Sequence, residues 1–92
     1  MARIGLIGFG YLGSFVYEQM TTRPELGLDV AFVYNRSAER LKGVSPEHVL
    51  DDLRSFAACE PDLIVELAHP DISREHGGAF LSCADYMPLS LT

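Results

Sequence analysis

Arg3-Ile4-Gly5-Leu6-Ile7-Gly8-Phe9-Gly10-Tyr11-Leu12-Gly13 decides the fold of this 92-residue chain. The near-continuous apolar run that stops at Gly8 is the pattern of a strand buried on both faces of a parallel sheet. From Tyr11 to Met20, Leu12, Phe15, Val16 and Met20 recur at spacings of three and four, which predicts a helix with those residues inward. Gly8-Phe9-Gly10-Tyr11-Leu12-Gly13 therefore fits G-x-G-x-x-G at a strand-to-helix turn, where the dinucleotide fingerprint belongs. Gly8 permits the tight turn, Gly10 lets backbone N–H groups approach a pyrophosphate, and Gly13 lets the helix pack closely on the strand. The helix N-terminus adds unpaired donors and a partial positive charge. A structural glycine turn without nucleotide is the competing account.

Working outward, Leu28 to Tyr34 is β-branched and aromatic and is bounded by Gly27 and by Asn35-Arg36-Ser37, which predicts a second strand. A protein reading NAD alone usually carries Asp or Glu at that strand end, to accept hydrogen bonds from the adenosine ribose. Here the acid is missing. Arg36 can form charge-assisted bonds to a 2′-phosphate with Ser37 as a second donor, so NADP is expected to bind at least as well as NAD. A solvated arginine beside a plain helix cap remains the alternative, with Ser37 capping a short helix that Gly43 stops.

His48-Val49-Leu50 is a weak candidate for an edge strand. Asp51 or Asp52 caps a helix with Leu53, Phe56 and Ala57 inward. Asp62 to Ala68 is a strongly apolar strand, expected beside the first one, and ends at His69-Pro70. Ala68-His69-Pro70 thus opens onto the crevice where strand order reverses and a nicotinamide should lie. His69 is suited either to the nicotinamide ribose or to a structural loop role, and Pro70 bars an early helical turn. Asp71 to Ala84 reads as a helix with Ile72, Phe80, Leu81 and Ala84 inward, weakened by Gly77-Gly78. Tyr86 starts another strand that meets Pro88. The alternation predicts a Rossmann-type α/β fold: a doubly wound, mostly parallel, incomplete sheet of about four to five strands with helices on both faces.

With 48% hydrophobic and 22% charged residues the chain is expected to pack a core, which excludes a disordered tail or a fibre. Seven Lys plus Arg against thirteen Asp plus Glu give a formal charge of −6, so nothing attracts nucleic acid or anionic lipid at long range. Any bound anion must be held locally. No signal core or membrane span is read in the chain. Cys59 and Cys83, without a CxxC, suggest reduced, apolar-packed thiols in a cytoplasmic protein. Scattered Glu66, His69 and His76 lack zinc-ligand spacing.

The glycine turn, the Val33-Tyr34-Asn35-Arg36 strand end and Asp62-Leu63-Ile64-Val65-Glu66-Leu67-Ala68-His69-Pro70 together resemble the N-terminal part of the L-aspartate dehydrogenase family. Gly77, Phe80-Leu81 and Ala84-Asp85-Tyr86-Met87 continue the resemblance, which spans residues 2–87. It implies NAD(P)-dependent oxidative deamination of L-aspartate through iminosuccinate to oxaloacetate. It also implies a nucleotide-binding domain over 1–87, followed by a divergent tail over 88–92. In the family, the catalytic histidine and the substrate domain lie beyond the equivalent of Met87. No catalytic residue is therefore carried over, and this chain is expected to be a shortened form, inactive alone. A non-catalytic nucleotide-binding regulatory module and a ligand-free fragment are the other readings. Because a domain of this length buries only about 60–65% of its unfolded surface, an exposed edge, marginal stability or a homo-oligomer is expected.

Overall fold

The structure is a computed structural model that describes residues 1–90; Leu91 and Thr92 of the expected tail lie outside the described residues. Four strands form one sheet: β1 (Ala2–Ile7), β2 (Leu28–Tyr34), β3 (Leu63–Glu66) and β4 (Asp85–Pro88), in the order β2-β1-β3-β4. All neighbouring pairs are parallel, with β1 at the reversal point between β2 and β3. Two longer helices, α1 (Tyr11–Thr22) and α2 (Pro70–Leu81), carry the crossovers β1 to β2 and β3 to β4. This is the expected α/β arrangement, an incomplete doubly wound sheet.

Side chains alternate across the sheet and build two cores. Ile4, Leu6 and Val33 meet Tyr17 and Met20 of α1 on one face. Ile7, Phe32 and Ile64 meet Leu53, Phe56, Ile72 and Phe80 on the other. The β1–β2 register jumps from Ile4↔Val30 to Gly5↔Phe32. Ala31 and Phe32 consequently share the α2 face, as a bulge requires. Gly5 belongs to the same device, because a Cβ there would lie 2.3 Å from Phe32 Cε2. The Phe32 ring occupies the space a side chain at position 5 would need.

Several expectations are corrected. On α1 the buried stripe is Gly13, Tyr17 and Met20, while Leu12 and Phe15 are each 52% exposed. The close seat of Gly13 on β1 fixes the helix rotation, and Tyr17 brings its hydroxyl inward only because His48 Nδ1 (2.8 Å) and Ser45 N–H (3.2 Å) satisfy it. His48-Val49-Leu50 is no strand. Pro46–His48 takes a 3-10 turn, leaving a single bridge from Val49 to Val33. The segment after Asp52 is a 3-10 helix, Leu53–Cys59, with Leu53 and Phe56 buried but Ala57 exposed. Leu81 is also exposed, since α2 ends there and Phe80 takes the core position. Gly77 and Gly78 do not interrupt α2.

Both cysteines are free, but only Cys59 is partly buried; Cys83 is exposed. Burial pushes the Cys59 thiol above its ordinary pKa, and the nearby Arg3 charge opposes that rise. β4 ends at Pro88, as expected, with Pro88 paired opposite Glu66. As an edge strand, β4 tolerates the missing N–H. Among the described residues no helix is long and apolar enough to cross a membrane.

Candidate dinucleotide-binding site

β1 delivers Gly8 at the carboxyl edge of the sheet with φ +101°, a left-handed conformation that glycine adopts without strain. Its N–H donates to Tyr34 O at 2.7 Å, and a Cβ there would lie 3.0 Å from Ala68 N. Gly13 is just as constrained, because its Cβ would sit 2.3 Å from Gly8 O. Gly10 differs: a Cβ there would meet nothing within 4 Å. As N-cap of α1 it supplies no side-chain cap, so the first-turn N–H groups open outward. Two glycines answer to the protein's own backbone, and the third leaves an open approach to uncapped donors. This cradle fits a pyrophosphate.

One side chain braces the loop. Asn35 Oδ1 accepts from Phe9 N–H at 2.9 Å, and its Nδ2 donates to Ser37 O at 2.9 Å. The residue where a ribose-reading acid is usual is therefore occupied by internal bonds. Ser37 makes no side-chain cap; its carbonyl accepts from Asn35 and from Arg40 N–H instead. A 3-10 helix, Ala38–Leu41, follows, anchored by buried Leu41.

Two concavities meet at Gly8 and Ala68. A cavity of about 280 Å³ is walled by Tyr34, Arg36, Leu53, His69, Ile72 and His76. A shallower depression of about 250 Å³ is lined by Phe9, Gly10, Asn35, Arg40 and Leu67. Gly8, Arg36, Ala68 and His69 are thus brought together, while Tyr11, Leu12, Gly13, Ser37 and Pro70 line neither concavity. Tyr11 is almost fully exposed. Pro70 does not bar the helix but is the first residue of α2. His69 is the N-cap: its Nδ1 accepts from Asp71 N–H at 3.1 Å and lies 3.3 Å from Asp71 Oδ2. A larger, open concavity of about 730 Å³ beside Arg3, Asp62 and Cys83 lies at the opposite edge of the sheet. Doubly wound sheets bind ligands at the carboxyl ends of their strands, so size does not make it the site.

Glu66 carries the loop that separates the two concavities. Its side chain is fully buried. Oε2 accepts from Ala68 N–H at 2.6 Å and His69 N–H at 2.7 Å, and Oε1 accepts from Ser90 Oγ–H at 2.6 Å. A buried carboxyl group persists only with such partners. Nearby, burial raises the Tyr86 phenol above its ordinary pKa; its hydrogen bond with Ser73 opposes this and the Glu66 charge adds to it. Sequence reading placed Glu66 in the strand without its loop contacts, and Arg40 in the short helix after Ser37 without its place on the depression. The pattern held a signal for Arg40: a second arginine four residues after Arg36, in an acidic chain.

A reversing parallel sheet with a glycine cradle at its switch point defines the cofactor-binding part of a dinucleotide-dependent oxidoreductase. The chain belongs to the family described as homoserine dehydrogenase, NAD binding domain, whose model matches residues 8–90. It is 41% identical over 87 residues to an aspartate dehydrogenase domain-containing protein of Danio rerio, covering 92% of this chain and 32% of that protein. A protein of the same description from Xenopus tropicalis is 40% identical over 87 residues, covering 92% of this chain and 31% of that protein. The chain thus spans about a third of the length of the curated relatives it matches. Its membership makes NAD a cofactor of this fold.

Proposed function

We propose that this chain is the cofactor-holding part of an NAD(P)-dependent dehydrogenase acting on L-aspartate, that it binds NADP at least as well as NAD, and that it does not turn over substrate alone. The observation that carries the reading is the pair of concavities meeting at Gly8, with Arg36 on the wall of the 280 Å³ cavity. The uncapped first turn of α1, above Gly10, would take the pyrophosphate. Arg36 would take the 2′-phosphate, a charge-assisted contact of about 1.5–3 kcal/mol. Ala68 and His69, held by Glu66, would form the wall towards the nicotinamide side. When bound, the nicotinamide ring would supply the hydride acceptor for oxidation of the amino acid. The names of the two relatives support aspartate as substrate. A cytoplasmic address is part of the proposal, and the edge position of β4 with exposed Met87 and Leu89 supports self-association.

The test is a fluorescence titration of NADPH and then NADH into the 92-residue protein at modest ionic strength. Saturable binding, tighter for NADPH, is expected, and Arg36→Ala should weaken NADPH about tenfold or more while leaving NADH nearly unchanged. No binding by a folded sample refutes the reading. Equal losses for the two nucleotides refute the role of Arg36.

A further inference from the structure

Three of the chain's seven cationic residues, Arg36, Arg40 and Lys42, fall within seven positions next to the glycine loop, although the formal charge is −6. Arg36 and Arg40 stand on different sides of the Gly8–Ala68 ridge, one on the cavity and the other on the depression over Phe9 and Gly10. Neither makes an ion pair among the described residues, whereas Arg23, Arg54 and Arg74 are each committed to a neighbouring carboxylate. The position of Arg40 is fixed relative to the loop. Its N–H donates to Ser37 O at 3.2 Å, the same carbonyl that Asn35 holds while it binds Phe9 N–H, and the adjacent Leu41 is buried. The Arg40 backbone is thereby tethered beside the open glycine Gly10, and its guanidinium makes no ion pair among the described residues.

We propose that Arg40 binds the cofactor's pyrophosphate, so that it supports NAD and NADP alike, while the discrimination between them rests on Arg36. The proposal rests on the nucleotide-binding reading above and divides the work of the two arginines. The physical basis is position: a group common to both cofactors lies over the glycine turn, and the 2′-phosphate belongs to the adenosine end at the β2 terminus. A guanidinium offers a planar fork of donors matched to phosphate oxygens.

The experiment titrates NADPH and NADH into wild-type protein, Arg40→Ala, Arg40→Lys and Arg36→Ala, with ADP and 2′-AMP as competitors. Arg40 is an exposed position, and melting curves confirm that each variant is folded. Arg40→Ala should weaken NADPH, NADH and ADP by the same factor, about tenfold to a hundredfold, and leave 2′-AMP unchanged. Arg40→Lys, which keeps the charge without the fork, should recover part of each loss. Arg36→Ala should weaken NADPH and 2′-AMP only. Unchanged affinities in Arg40→Ala, or a loss confined to NADPH and 2′-AMP, overturn the assignment while the nucleotide-binding reading stands. Failure of the folded wild-type protein to bind any of the four overturns both.

Discussion

Gly13→Ala and Gly10→Ala are the same chemical change three residues apart, and the structure gives them opposite consequences. At Gly13 the new methyl would lie 2.3 Å from Gly8 O. A carbon–oxygen contact needs about 3.3 Å, so α1 must move roughly 1 Å away from β1. The obstacle is backbone rather than a flexible side chain, which puts the cost near the upper end of overpacking, about 3 kcal/mol. Alanine's better helix propensity returns about 1 kcal/mol of that. A net loss of about 2 kcal/mol lowers the Tm of a domain this size by about 8–16 °C. At Gly10 the methyl meets nothing within 4 Å, and φ −85° suits alanine. The poorer N-cap and the reduced entropy of the unfolded chain each contribute about 0.5 kcal/mol with opposite signs, so the Tm should barely move. Nucleotide affinity should nevertheless collapse, because the methyl stands where the pyrophosphate must come. Calorimetric melts and an NADH titration on both variants make the comparison. A Gly13→Ala protein that melts like wild type, or a Gly10→Ala protein that binds like wild type, would refute the reasoning for that position.

Two further outcomes follow from the Glu66 neighbourhood. Glu66→Ala strips the acceptor from Ala68 and His69 N–H and should cost about 3 kcal/mol, whereas Glu66→Gln retains an acceptor and should lose less. Amide exchange reports the cause directly: those two N–H groups should exchange much faster in Glu66→Ala, and unchanged protection would remove Glu66 from its role in the loop. Tyr86 is held above its ordinary pKa of 10.0, chiefly by burial. The stability it confers is complete below the unfolded-state pKa and is lost as pH rises through the folded-state value. Urea midpoints compared between about pH 9 and about pH 11 should fall more steeply for wild type than for Tyr86→Phe, and parallel declines would contradict this.

Most of the fold was legible because its signals are local. β2 coincides with the apolar run Leu28–Tyr34, and the glycine turn announced the strand-to-helix junction. What failed was decided by contacts distant in sequence. The burial of Tyr17 in place of Leu12 and Phe15 depends on Ser45 and His48, more than twenty-five residues away, which no helical periodicity encodes. The His48–Leu50 segment had one good β-former between a Pro46 turn and two aspartates, too little to sustain a ladder. At the site, the glycines and Arg36 could be read from spacing. Glu66 looked like one more strand residue because its partners, the backbone of Ala68 and His69 and the hydroxyl of Ser90, are invisible until the chain has turned. Asn35 was read as the absence of an acid, when its amide is in fact a two-ended brace.

That brace limits how cofactor choice can be altered. The direct route to an NAD-only protein replaces Asn35 with aspartate, restoring the ribose acceptor. The exchange alters a single group, NH2 to O, yet it removes the only side-chain donor to Ser37 O among the described residues and sets two acceptors against each other. The glycine loop and the arginine-bearing segment would lose their common anchor in the same step that changes the preference. Selectivity and loop rigidity are thus written into one amide, and a redesign must supply a new donor to the Ser37 carbonyl before it can change the charge at position 35.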